Sequence, residues 1–573
     1  MTEDRRHPKI LGAALGIISG LAPLAAYVIT LARTITFEDS GQIITAAARL
    51  GISHPSGYPL ATLVGQAFTL APWGRMAWRV NLASAAMAAT CCVVLFFLLR
   101  RLFLDLKAEA RVSAAAAAAG AAIAFGLSRT FWSQAVVAEA YAVNALALAV
   151  VLYAAFNFAR SADVRFGYLA AFASGLALAA HTSSAIVTLP VAVYLLWRFR
   201  RLPSPRALGL GLALALLGFM VYLYLPLRAA QGPAINWGDP RTLVRAYAHI
   251  TRRMYGGPDP ARLQFLPHHL YELGKFVWWD FVPPAAFAMA GGLYLALKRR
   301  RRPWVFLALL LLPTGPLATV ALVLLLQGHQ LPGIQVWYIP FFLLATTFLG
   351  LALFSLATAR QRWLRRAGYA AIVLAAALPL AFNFYWNDYR HYFFAEDYGA
   401  NFLRTISYRG LNIMFERGSF GMYEIAYLKK TEGRRDDHVV VDGTGNVFRE
   451  YERFAEGRRD AGDRAAAQAW EREFERDILT STDRRDVYYS AFRSELASYG
   501  YALEPAGMLY RVTRPPVEPR PVSPVWDRYV MRGVAEIEEN PKARRYGGDE
   551  WPREAVCKYK FMLANGYFLA GER

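Results

Sequence analysis

The chain is poor in cysteine and in charge. Its three cysteines, Cys91, Cys92 and Cys557, cannot build a disulfide framework, and two of them are neighbours in an apolar run, so cysteine usage reports no redox compartment. Charged residues fill 19% of 573 positions, where soluble chains carry about a quarter. With 55% hydrophobic residues and a mean hydropathy of +0.23, that scarcity excludes an ordinary soluble globule and a disordered chain. Catalytic signatures are missing too. No Walker loop, no glycine fingerprint after a strand, no Cys/His metal-ligand spacing and no G-x-S-x-G elbow occurs, so nucleotide, nicotinamide, zinc and serine-hydrolase chemistry have no sequence support.

Acidic residues are scarce in one region only. Residues 1–385 hold 34 Lys and Arg against 12 Asp and Glu, whereas residues 386–573 hold 30 against 31. The first part therefore carries nearly all of the net charge of +21. Its basic residues stand in short clusters between apolar runs, which is how a membrane protein is oriented and not how a nucleic-acid surface is built.

A helix crossing the hydrocarbon needs about 20 apolar residues. Runs of that kind fall at about 10–31, 78–99, 112–128, 134–158, 166–181, 182–197, 207–227, 277–297, 303–326, 337–358 and 367–385, predicting about eleven spans. The first is too long for a signal peptide and is read as a retained span. With a cytoplasmic N-terminus, the inner connectors 1–9, 100–111, 159–165, 198–206, 298–302 and 359–366 hold 22 of the 34 basic residues. This positive-inside bias predicts an N-in, C-out topology. No carboxylate falls at the predicted middle of a span, which argues against an ion-coupled transporter but leaves a lipid flippase open.

The outer side then carries two long loops, 32–77 and 228–276, and a tail from 386 to 573. The tail has a strand-like run (Val439 to Val441), a helical stretch around Asp460 to Leu479, a proline-rich linker from Pro515 to Pro524, and a helical segment from Cys557 to Leu569. A small extracytoplasmic α/β or α+β domain is expected there, behind a transmembrane domain of residues 1–385.

Chemistry-bearing residues collect on the outer side. Glu38 and Asp39 lie just past the first span, in Thr36-Phe37-Glu38-Asp39-Ser40-Gly41. Adjacent carboxylates there are either a solvated loop or a general base whose pKa is raised by desolvation and a like-charged neighbour. His54 and Tyr58 are presented by a proline-stiffened loop, Ser53-His54-Pro55-Ser56-Gly57-Tyr58-Pro59. Glu139, His181 and Arg228 sit at outer span ends, and the second loop adds Asn236, Asp239, Arg252 and Arg253. An outer arginine pair runs against the charge bias, so it calls for an anionic partner: either it anchors on lipid head groups or it binds a substrate phosphate, which fits guanidinium forks. Any driving energy should arrive in the substrate, for example as a polyprenyl-phosphate sugar.

The stretches Thr36 to Gly41, His54 to Pro59, Trp78-Arg79-Val80-Asn81, Phe131 to Asn144, Leu225 to Arg228, Asn236 to Pro240 and Arg253 to Tyr255 resemble the protein O-mannosyltransferase-like family of GT-C membrane glycosyltransferases. The resemblance covers roughly residues 10–260, and the later spans by pattern only. It implies a GT-C fold, a lipid-phosphate sugar donor, and an acidic residue of the first outer loop as catalytic base. By position Glu38 and Asp39 fall on that acidic motif, and the motif does not say which of them is the base.

Arginines 228, 252 and 253 as donor-phosphate ligands follow from chemistry and topology. His54, Tyr58, Glu139, His181, Asn236 and Asp239 are candidate donor or sugar contacts. The acidic pair is not a D-x-D motif, so no metal is assigned and no cofactor beyond the lipid-linked sugar is expected.

The expected activity is transfer of a hexose such as mannose to a hydroxyl, with inversion, on Ser or Thr of exported proteins. In a bacterium the membrane would be the inner one, with the site facing outward. The alternatives are a GT-C enzyme acting on a glycolipid or surface polysaccharide, and a non-enzymatic polyprenyl-sugar flippase.

Overall fold

The computed structural model describes residues 7–199, 204–255, 257–325, 334–407, 412–416, 419–443, 445, 447–448, 464–480, 486–518, 521–539 and 551–571. Asp460, most of the connector 1–9 and residues 519–520 of the proline-rich linker, all part of the segments named above, lie outside them.

Among the described residues, eight helical segments are apolar and long enough to cross a membrane: Ile10–Thr30, Met76–Leu106, Tyr141–Ser161, Thr182–Phe199, Pro205–Ala229, Arg302–Leu325, Ile334–Ala357 and Arg362–Asn383. Two further pairs are bent, Arg111–Gly126 with Arg129–Ala135 by 68°, and Pro260–Asp280 with Pro283–Arg299 by 110°. Val164–Ala180 is a shorter apolar helix. Each of the eleven apolar runs therefore contains a helix, though three of those helices fall short of an unbroken span.

The main helices are numbered α1 (His7–Thr30), α2 (Ser40–Arg49), α3 (Pro59–Thr69), α4 (Met76–Leu106), α5 (Arg111–Gly126), α6 (Arg129–Ala135), α7 (Tyr141–Ser161), α8 (Val164–Ala180), α9 (Ala185–Phe199), α10 (Pro205–Phe219), α11 (Tyr224–Ala229), α12 (Leu243–Ile250), α13 (Leu266–Asp280), α14 (Pro283–Arg299), α15 (Arg302–Thr314), α16 (Pro316–Leu325), α17 (Ile339–Ala357) and α18 (Arg362–Asn383). Small residues set how closely they approach. A Cβ on Gly175 of α8 would collide with the Ala215 carbonyl of α10, and one on Gly218 of α10 with the Phe172 carbonyl of α8. Where lipid competes for apolar surface, such backbone approach is what holds helices together.

Several boundaries differ from the apolar runs. The run at 134–158 begins its helix only at Tyr141, so Val136 to Ala140 form an irregular link between α6 and α7. The run at 277–297 is broken at Phe281 and Val282, ahead of two prolines that cannot continue a hydrogen-bonded helix. Asp280, at the end of α13, receives the Thr130 backbone N–H (2.6 Å) and hydroxyl (2.8 Å), capping α6. The two long loops are largely helical: the first contains α2 and α3, the second α12 and α13.

Polar connectors segregate to two ends. At one end Arg160 pairs with Asp105 (2.7 Å), Arg301 donates to the Asp105 carbonyl (3.0 Å) and Arg299 to Ser355 (3.1 Å). These are connectors of the predicted basic side. At the other end lie the acidic loop, the second long loop and the tail.

The tail runs through α19 (Phe394–Thr405), β1 (Asn412–Glu416), α20 (Ser419–Ala426), β2 (His438–Asp442), α21 (Arg464–Thr480), β3 (Val487–Tyr489), β4 (Ala502–Ala506), β5 (Leu509–Thr513), α22 (Val534–Glu539) and α23 (Trp551–Ala570). Its five strands order β2-β1-β3-β5-β4, with β2, β1 and β3 parallel and β5 and β4 antiparallel. This is the mixed α/β unit expected. It is fused to the membrane helices: Tyr398, Phe402 and Ile425 share one buried cluster with Phe37, Ile44 and the span residues.

Gly41 marks the closest seam. A Cβ there would stand 2.5 Å from the Tyr423 carbonyl oxygen, a backbone atom that cannot swing away. Gly41→Ala is expected to cost about 1–3 kcal/mol through this clash, read as a fall of several degrees in detergent thermal unfolding; an unchanged midpoint would mean that α2 and α20 do not pack as described.

Candidate active site

The acidic loop is pinned before it reaches its carboxylates. Asn81 of α4 donates to the carbonyls of Ala32 (2.9 Å) and Thr34 (3.2 Å), and Trp132 donates to Thr30 (2.9 Å). Phe37 is buried against Tyr392 and Tyr398 of the tail, at 6.3 and 5.7 Å between ring centroids. Glu38 then adopts φ 62°, left-handed and unfavourable for a side chain with a Cβ. Tyr58 (φ 42°) and Arg252 (φ 59°) share that property.

Glu38 is exposed and the Asp39 side chain is 36% exposed, while surrounding protein atoms desolvate both carboxyls. Burial raises both carboxyls above the ordinary carboxylate range. For Glu38 a hydrogen bond from Trp551 opposes the rise and the charge of Asp39 adds to it. For Asp39 the Arg252 guanidinium opposes it. Glu139, in the link between α6 and α7, joins them as a third carboxyl, pushed well up by burial and then by the charges of Asp39 and Glu38.

His54 approaches Asp39 at 3.5 Å through Nε2 and meets Gln42 at 2.8 Å through Nδ1. Burial lowers its pKa to about 3, so it is a neutral orienting group and not a cation. Behind it the rings form a wall: His54 on Tyr58 (4.9 Å), Tyr58 on His181 (5.6 Å), Tyr141 on His181 (5.7 Å), and His181 edge-on to Trp337 (5.1 Å). The Arg252 guanidinium lies over Trp337 and Tyr255, at 5.1 and 5.3 Å from their centroids.

Two donors in this wall are unsatisfied. His181 Nδ1 receives the Ser183 backbone N–H (3.2 Å), and an N–H can only donate, so the ring proton resides on Nε2. Among the described residues that Nε2 is buried without a hydrogen-bond partner, and so is Nη1 of Arg252. Buried donors of this kind are costly unless a ligand supplies acceptors. Among the described residues no group of three or more His, Cys, Asp and Glu is placed to hold a metal ion.

The remaining candidates lie elsewhere. Arg253 points away from its neighbour and stacks on Tyr247 at the surface, 4.9 Å from the ring. Arg228 donates through Nε to the Leu50 carbonyl (2.8 Å) and through Nη2 to that of Arg49 (3.4 Å), so it caps the C-terminal end of α2. Asn236 and Asp239 form a buried knot: Asn236 donates to Asp239 (2.9 Å), which pairs with Arg241 (2.7 Å) and Arg245 (3.1 Å). That knot braces the first loop, since Ile52 and Asn236 form a parallel bridge. Arg228, Arg253, Asn236 and Asp239, read from the sequence as donor or sugar contacts, are thus engaged by these other partners.

Arg228→Ala is expected to cost about 1–3 kcal/mol of stability by leaving α2 uncapped, read as a lower midpoint in thermal unfolding; an unchanged midpoint would mean that Arg228 does not cap α2.

Sequence reading missed Gln42, Trp337, Tyr255 and, from the tail, Tyr423 and Trp551. Trp337 lies at the end of an apolar run, where an interfacial tryptophan is unremarkable. Tyr423 receives the Trp237 indole N–H (3.4 Å) and feels the charge of Asp39, but nothing local in its sequence signals that placement.

Residues 39–203 match the family model described as "Protein O-mannosyl-transferase TMEM260 N-terminal domain". "Protein O-mannosyl-transferase TMEM260" of Mus musculus is 28% identical over 459 residues, 75% of this chain and 63% of its own length. The Dictyostelium discoideum "Protein O-mannosyl-transferase tmem260" is 23% identical over 253 residues, 40% of this chain and 29% of its own. Among solved structures, the oligosaccharyltransferase of Archaeoglobus fulgidus, tethered to an acceptor peptide containing the NVT sequon, aligns over 88% of this chain and 74% of its own at 13% identity with a TM-score of 0.43. The chain thus spans about 63% of the length of its mouse relative. The chain is thus similar to proteins named TMEM260 protein O-mannosyl-transferases, and its residues 39–203 are similar to the N-terminal domain of that family.

Proposed function

We propose that the protein transfers a hexose such as mannose from a polyprenyl-phosphate carrier to a Ser or Thr hydroxyl of exported proteins, with Asp39 as general base. The observation that carries this reading is that two donors without partners among the described residues, Arg252 Nη1 and His181 Nε2, stand in the aromatic wall near Asp39, whose carboxyl feels the Arg252 charge. Phosphate oxygens supply the acceptors those donors lack.

Between the two possible bases the geometry favours Asp39. It faces His54 and feels Arg252, whereas Glu38 is engaged by Trp551. In the reaction the acceptor oxygen attacks the anomeric carbon and Asp39 takes the hydroxyl proton. The carbon–oxygen bond to phosphate breaks, and its electron pair leaves with the lipid phosphate. Attack opposite the leaving group inverts the anomeric centre. Arg252 and His181 stabilise the charge that grows on the departing phosphate. The neutral aromatic wall of Tyr58, Tyr141 and Trp337 suits a sugar ring, and Glu139 suits its hydroxyls.

The site works on the extracytoplasmic face, in the inner membrane if the host is bacterial, because the basic connectors gather at the opposite end. The relatives named for protein O-mannosyl transfer support a protein acceptor.

Intact-mass analysis of exported proteins from cells with and without the chain tests this. Hexose increments on Ser or Thr that vanish on deletion are expected. An unchanged protein profile with an altered glycolipid or polysaccharide would overturn the protein acceptor, and no altered glycan of any kind would overturn transfer itself.

A further inference from the structure

The last helix of the chain reaches back to the first outer loop. The Trp551 indole N–H donates to Glu38 Oε1 at 2.8 Å, joining residues 513 positions apart. The contact is built, because α23 is fastened along its length independently of Glu38. The Tyr559 hydroxyl accepts from Asn401 (2.9 Å), the Tyr559 ring packs on Tyr398 (5.9 Å), Lys558 donates to the Ser490 carbonyl (2.8 Å), and Met562 is buried in the core of the sheet.

Tyr398 is also the ring that Phe37 packs on. A continuous line of rings, Phe37, Tyr398 and Tyr559, therefore sets the distance between the acidic loop and the start of α23. Glu38 needs such a hold. Its backbone is left-handed and its neighbour Asp39 is a second carboxylate, so without a donor the two side chains are free to turn toward each other or share a proton.

We infer that Trp551 is a positioning residue of the active site, through which the tail domain holds Glu38 aside and leaves Asp39 as the carboxylate presented to the acceptor. Completion of the site then depends on docking of α23, and the tail is part of the enzyme and not an appendage. This rests on the proposed role of Asp39.

The test uses the full chain in lipid nanodiscs, with polyprenyl-phosphate mannose as donor and a Ser/Thr-rich peptide as acceptor. Trp551→Phe removes the N–H and keeps an aromatic ring; Trp551→His restores a ring N–H. Trp551→Phe is expected to lower kcat by about 5- to 50-fold with the donor KM within about twofold, Trp551→His to recover part of it, and the double variant with Glu38→Gln to be no slower than Glu38→Gln alone. An unimpaired Trp551→Phe enzyme, a rise in KM alone, or losses that multiply in the double variant would overturn the inference.

If the wild-type chain moves no mannose, the proposed function fails while the Glu38–Trp551 coupling stays decidable from thermal unfolding of the wild type, Glu38→Gln, Trp551→Phe and the double variant. Non-additive shifts of Glu38→Gln and Trp551→Phe support the coupling, and additive shifts overturn it.

Discussion

Asp39→Asn is expected to lower the rate of sugar transfer by about 10²- to 10⁴-fold, the range lost when a general base is removed, while the protein unfolds at nearly its normal temperature. The side chain is isosteric and its contact with His54 at 3.5 Å survives, so donor binding should hold and the loss should fall on kcat. Glu38→Gln should lose less, because its carboxylate is engaged by Trp551 and does not face the acceptor.

The pH profile gives the same assignment a second reading. The base works only when ionised, and burial raises the Asp39 and Glu38 carboxyls. Activity should therefore rise with pH through a limb placed above the ordinary carboxylate range, and initial rates across pH 4 to 8 would check it. A limb near the unperturbed value of about 4 would mean that the base sits in open water and is not desolvated by the surrounding protein.

The second large effect is expected at Arg252. Its Nη1 is a buried donor with no partner among the described residues, and Trp337 and Tyr255 hold the guanidinium in place. Arg252→Gln should reduce kcat/KM for the lipid-phosphate donor by about 10²- to 10³-fold, the scale of losing one preorganised charge-stabilising donor. Arg253→Gln, next in sequence, should change it by less than about threefold, since Arg253 lies outward on Tyr247. Steady-state kinetics with varied donor separate the two; equal losses at both positions would contradict the placement of the pair.

That contrast also indicates what a sequence conveys about such a site. The acidic pair was legible because two carboxylates directly after an apolar run, in a region with few others, stand out by chemistry alone. The division between Arg252 and Arg253 was not, because it depends on the backbone turn at φ 59° that sends neighbouring side chains in opposite directions. Arg228 and Asp239 have the right residue types in the right loops, yet local pairing engages them, Arg228 with α2 carbonyls and Asp239 with Arg241 and Arg245. Such pairing is invisible until the loops fold on one another.

The apolar runs located the helices of the membrane domain, and the clustering of basic connectors matched their segregation to one end. The loop helices were readable in principle. Leu243, Val244, Ala246, Tyr247 and Ile250 recur with the helical period in α12, but in a segment between spans that reads first as a connection. Trp551 was beyond reach: nothing near it in the chain refers to Glu38, and only the tertiary fold brings them to 2.8 Å.

The most direct measurement is the stereochemistry of the product. Purified chain in nanodiscs, given polyprenyl-phosphate mannose of defined anomeric configuration and a Ser/Thr peptide, should yield a glycopeptide whose anomeric carbon, read by NMR, has the opposite configuration, with lipid phosphate released in equal amount. A product that keeps the donor's configuration would require a covalent or front-face route and would contradict a single displacement driven by Asp39.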